Sequence, residues 1–141
     1  MRASAGYEYF DVEADVGVRA WGRDRADAFA HAALGVLALG VTPDDVEPRE
    51  TRDVRAQATA PKDLLVAWIN ECVYVHEIEG FAVHRVAVTA LTGEVAHGLL
   101  HGEALDPARH RLGTVVKGAT HHRVAIDETA TGCEVRVIID V

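Results

Sequence analysis

From Phe81 to the last residue the chain reads almost entirely as strands, and no other feature limits its possible folds so strongly. Phe81–Thr89 and Glu94–Leu105 are apolar-alternating runs separated by Thr92-Gly93, a hairpin turn. An irregular DPARHRLG follows, then Thr114–Ala119, His122–Asp127 and a turn at Gly132. The closing strand, Cys133–Val141, ends on VRVIIDV, where Val135, Val137 and Ile139 alternate with Arg136, Ile138 and Asp140.

Ahead of this block lie two helical patterns. Asp24 is suited to cap RADAFAHAALGVLAL, whose Ala28, Phe29, Ala32, Leu34 and Leu37 crowd one side before Gly40. Pro61 fits the first turn of a second helix, with Asp63 near its positive end and Gly80 marking its stop. Leu64, Leu65, Trp68, Ile69 and Cys72 form the apolar stripe of that helix. Tyr7–Asp11, Val16–Trp21 and Arg52–Ala58 supply three further strands, and Thr42–Arg49, with Pro43 and Pro48, is a loop. The order predicts an α+β fold: two helices packed on one largely antiparallel β-sheet, a single domain over residues 1–141.

The formal net charge of −8 argues against a protein that coats phosphate backbones, so no strong direct nucleic-acid binding is expected. The start, MRASAGYEYF, lacks an apolar run, and no stretch approaches the length of a membrane span. Cys72 and Cys133 sit in apolar-periodic segments without CxxC spacing, as reduced core thiols of a cytoplasmic protein do.

Asp11, Glu13 and Asp15 fall within five residues, on one face if the segment is a strand. The sequence ends with a second acidic pair, Asp140 and the main-chain carboxylate of Val141. If the first and last strands meet, these oxygens converge and call for a hard cation. The 8 histidines include His97 and His101 on one face and the adjacent His121-His122, but no HExxH or Cys/His cluster is present. Nucleophile and phosphate-loop signatures are also absent. Lys117, one of two lysines among 14 basic residues, is either a solvated strand-edge lysine or a compact cation for a phosphate.

Five segments, in order and spanning nearly the whole chain, together resemble the archease family. They are DVEADVG followed by Trp21-Gly22, the helix Asp63-Leu64-Leu65-Val66-Ala67-Trp68-Ile69-Asn70-Glu71, and Gly102-Glu103-Ala104-Leu105-Asp106 leading to His110. Val116-Lys117-Gly118-Ala119-Thr120-His121-His122 and the closing aspartate–aliphatic pair complete the set. The resemblance implies a protein that is not itself an enzyme but activates a GTP-dependent RtcB-type RNA ligase. It would promote guanylylation and repeated turnover in tRNA splicing and RNA repair. It also implies a divalent cation, calcium or else magnesium or manganese, held by Asp15, Asp140 and a main-chain oxygen of Val141, with Lys117 in the activating role. The family's His-Thr at the first motif is Val12-Glu13 here, and the Tyr before its last His is His121. Two other classes fit the same residues. One is a stand-alone metal-dependent hydrolase with His121 or His122 as general base. The other is a small-molecule-binding or chaperone-like domain without chemistry.

Overall fold

Asp24 begins the first helix by accepting a hydrogen bond from the Asp27 backbone N–H at 2.8 Å. In the computed structural model, which describes residues 2–141, this helix, α1, spans Arg25–Leu37. It stops short of Gly40 because residues 38–40 tighten into a turn, with Leu39 and Gly40 donating to Val36 and Leu37 carbonyls. The second helix, α2, runs Pro61–Glu77, with proline in its first turn as expected, and Gly80 follows at φ +67.

The strands are β1 (Gly6–Val12), β2 (Asp15–Gly22), β3 (Glu50–Gln57), β4 (Phe81–Leu91), β5 (Val95–Ala104), β6 (Gly118–Thr129) and β7 (Gly132–Asp140). The α+β arrangement read from the order of elements forms, and every strand pair is antiparallel. The strands divide between a four-stranded sheet, ordered β1-β2-β7-β6, and a three-stranded sheet, ordered β3-β5-β4. Both helices touch both sheets, and one apolar core draws on all of them. At its centre Trp68 is fully buried and donates its indole N–H to the Phe29 carbonyl at 3.0 Å, tying α2 to α1. Its ring leaves no room at Gly98, where a Cβ would lie 2.7 Å from the ring edge.

Two local expectations are corrected. Thr114–Ala119 and His122–Asp127 are not separate strands. Residues 111–117 carry no regular structure, and β6 takes up only the last two residues of the first segment before running through the second with a large bulge, because Thr120 opposes Ile138 while Ala125 opposes Arg136. Nor do Asp11, Glu13 and Asp15 share a face. Val12 pairs with Asp15 across a two-residue turn made by Glu13 and Ala14, and the pairing sets Asp11 and Asp15 on opposite sides of the sheet.

Among the described residues no helix is long and apolar enough to cross a membrane. Both cysteines are free and buried. Burial raises the pKa of each thiol, that of Cys133 to about 11, so both stay protonated as core thiols.

Candidate metal centre and surface groove

The β2–β7 register decides how the acidic residues meet. Val16 lies opposite Ile139, so one step further Asp15 stands beside Asp140. Val18 and Ala20 of β2 and Val135, Val137 and Ile139 of β7 face the core, which sends Asp15 and Asp140 to the outer face of the sheet. Cross-strand neighbours of this kind have Cβ atoms about 4.5–5.5 Å apart, where like charges repel. None of the ion pairs among the described residues involves either aspartate. Val141 follows directly, half-buried. Two unpaired carboxylates and adjoining main-chain oxygens form a hard, anionic donor set, which fits a cation of the calcium, magnesium or manganese kind.

The histidines do not gather. No group of three or more His, Cys, Asp or Glu side chains comes together among the described residues. An ion at Asp15 and Asp140 therefore needs main-chain oxygen or water to fill its shell. His97 faces Asp53, and the exposed His121 lies 3.5 Å from Asp63 at the start of α2. His122 is exposed on the β6 bulge.

Lys117 is exposed and lies just before β6, not within a strand. Its backbone N–H donates to the Asp140 carbonyl at 2.9 Å, so the lysine and the final aspartate are joined through their main chains. The α2 helix grips the chain on either side. Glu77 accepts the Val116 N–H at 3.0 Å, while Asn70 accepts the Ala119 N–H at 2.7 Å and donates to the Ala119 carbonyl at 3.4 Å. A Cβ at Gly118 would sit 2.9 Å from the Asn70 amide oxygen, so a larger residue there would have to displace the clamp. Asn70 and Glu77 are positioning residues that pattern reading missed. Glu77 has no sequence signal beyond polarity on the helix edge, and Asn70 stands without an assigned role in the segment Asp63–Glu71. Between α2 and residues 115–120 runs a groove of about 620 Å³, with Lys117 and Asp140 in its wall. Tyr74, Ile78 and Val115 are more than half exposed along it.

A second polar centre emerges from the Gly102-Glu103 motif, whose role the sequence leaves open. Glu103 and His110 are both buried. The Glu103 carboxylate accepts from Arg109 at 2.7 Å, the Glu47 backbone N–H at 2.9 Å and the His110 Nε2 at 2.9 Å. The His110 Nδ1 accepts the Asp106 N–H at 2.9 Å, which makes the Nε2–H tautomer the donor. Arg109, the Glu47 N–H and His110 together hold the Glu103 pKa at about 2, well below its ordinary value of 4.5. Because the folded value is depressed, the stability it confers is full above 4.5 and fades as pH falls toward 2. The expected result is that Glu103→Gln lowers the melting temperature at pH 7 and that this deficit shrinks progressively below pH 4.5. Circular dichroism melts across that range test it, and a deficit independent of pH would refute it.

Comparison with known proteins agrees with this architecture. The model of the archease protein family (MTH1598/TM1083) matches residues 7–141. The protein archease of Sulfurisphaera tokodaii is 29% identical over 136 residues, covering 96% of this chain and 98% of its own. That of Thermococcus gammatolerans is 32% identical over 129 residues, covering 89% and 91% respectively. The solution structure of protein 1598 from Methanobacterium thermoautotrophicum superposes with a TM-score of 0.77 at 28% identity, over 96% of this chain and 99% of that one. A crystal structure from Thermotoga maritima, described as an archease and possible chaperone, shares the fold at a TM-score of 0.62 and 14% identity. With the match running from β1 to the final residue, the chain belongs to the archease family.

Proposed function

We propose that this chain is a metal-binding protein cofactor of a GTP-dependent RtcB-type RNA ligase, promoting guanylylation and repeated turnover and performing no chemistry on RNA itself. The observation that supports it most is the groove in which Lys117 and Asp140 share a wall with exposed Tyr74, Ile78 and Val115. Large apolar side chains clustered at a surface mark a protein-contact site. A lysine on a clamped backbone beside an anionic donor set offers that partner a cation and a place for a divalent ion. In this reading Asp15, Asp140 and a Val141 main-chain oxygen hold calcium, magnesium or manganese, whose charge offsets the two carboxylates. The protein's own residues present Lys117 to the ligase's nucleotide site. The direct test adds the protein to a molar excess over ligase and counts turnovers of broken RNA. An activator multiplies ligase turnover and leaves RNA untouched alone, whereas cleavage by the isolated chain would replace this reading with the hydrolase.

The metal part is tested separately. Calcium at about one hundred times its Kd stabilises the folded state by about 2.7 kcal/mol, which raises the melting temperature of a domain this size by roughly 10 °C. Asp15→Asn or Asp140→Asn should abolish that rise while leaving the melting temperature in chelator unchanged or higher, because the substitution also relieves repulsion. Zinc should stabilise less than calcium, magnesium or manganese. A calcium-dependent rise that persists in both variants would remove these aspartates from the metal site.

A further inference from the structure

The outer face of the four-stranded sheet carries a cavity of about 450 Å³, separate from the groove beside α2. Arg19, Arg123 and Arg136 line it, with Phe10, Ile138 and Asp11. We propose that this pocket binds a phosphate group, presented by a nucleotide or by an RNA strand.

Three features converge on that conclusion. Arg19 of β2 and Arg136 of β7 are direct cross-strand partners, a like-charge pairing that costs stability unless an anion lies between the two. Their carboxylate partners hold them unevenly and, among the described residues, leave Arg136 with none closer than 3.8 Å. Arg19 meets Glu8 at 2.8 Å and Glu134 at 3.8 Å, and Arg136 reaches Asp127 only at 3.8 Å. Arg123 then adds a third guanidinium, and among the described residues it has no carboxylate within 4.0 Å.

The way Arg123 arrives is the second feature. It sits in the β6 bulge at φ 59, a conformation that costs a non-glycine residue on the order of 1–3 kcal/mol. Bulges on edge strands re-aim side chains, and this one brings an edge residue to the wall of a pocket that already holds two arginines. In a chain of net charge −8 such a concentration runs against the average.

The third feature is shape. The three arginines come from three different strands, so an anion with oxygens in several directions suits them better than a planar carboxylate. Phosphate has that geometry. Phe10 lies beneath the Arg19 guanidinium at 5.3 Å, and an aromatic ring next to a phosphate site offers a surface on which a nucleobase can stack.

The test is run in chelator, so that it does not depend on any bound cation. Guanosine monophosphate and a ten-nucleotide single-stranded RNA are titrated separately into the labelled protein and followed by NMR. At least one should saturate, with shifts centred on Phe10, Arg19, Arg123 and Arg136. Arg136→Gln and Arg123→Gly should each weaken that binding at least fivefold, and glycine at 123 accommodates the positive φ so the fold is kept. RNA binding more than tenfold tighter than the mononucleotide assigns the phosphate to a strand, and a smaller difference assigns it to a free nucleotide. No saturation by either probe, or a loss smaller than fivefold in either variant, overturns the proposal.

Discussion

On the proposed function, Lys117→Ala should leave the protein folded, metal-responsive and able to associate with the ligase, yet cut the stimulated guanylylation rate about a hundredfold. The side chain is exposed and contributes nothing to the core, while Glu77 and Asn70 hold the flanking backbone through contacts that the substitution does not touch. Only the ammonium is lost. Removing one preorganised donor aimed at developing charge costs about 2.7–4 kcal/mol in enzymes, a factor of about 100–1000. Lys117→Arg should recover part of the rate, because it keeps the charge but replaces a compact ammonium with a wider planar fork. Asn70→Ala should fall between the parent and Lys117→Ala, since it loosens the Ala119 side of the clamp and spares the lysine itself. Single-turnover incorporation of labelled GTP into the ligase reads all three. If Lys117→Ala stimulates as well as the parent, the residue is a solvated lysine and the activation surface lies elsewhere.

Trp68→Ala should be the most damaging single change to the fold, with a loss of about 3–5 kcal/mol. Domains of this kind have about 5–15 kcal/mol in total, so the variant approaches the limit of folding at 37 °C. The indole is fully buried, holds α2 to α1 through the Phe29 carbonyl and fills the space above Gly98. Truncation removes a large apolar contact, leaves a cavity between helix and sheet, and deletes a buried hydrogen bond. Trp68→Phe should be milder, as it keeps most of the ring volume while losing the donor. Urea unfolding followed by circular dichroism measures both, and a loss below about 1 kcal/mol for alanine would mean that the core closes over the gap.

Residues that act locally announced themselves in the sequence. The Asp24 cap, Pro61 at the start of α2, the Gly80 stop and the Thr92-Gly93 hairpin are each decided within a few positions, and the structure places them as read. The β1–β2 turn was hidden because it uses Glu13-Ala14 and not glycine or asparagine, with Ala14 forced to φ 63. Without that turn signal, Asp11 and Asp15 read as one face. Residues 114–117 alternate like a strand, yet their amides go to Leu39, Glu77 and Asp140, partners distant in sequence. The β6 bulge and the split into two sheets are likewise settled by long-range pairing that periodicity does not encode. Asp140 was readable as the end of a strand. Its neighbour Asp15 became specific only through register.

The same bulge bears on how the molecule keeps to itself. β6 is an outer strand of its sheet, and an uninterrupted outer strand of 12 residues offers a row of free N–H and C=O groups to any passing β-segment. The departure between Thr120 and Ala125 breaks that row into two short stretches out of line with each other, and puts His121, His122 and Arg123 at the break. An incoming strand can hydrogen-bond to one stretch or the other, not to both, so the irregularity guards the exposed margin of the sheet against aggregation.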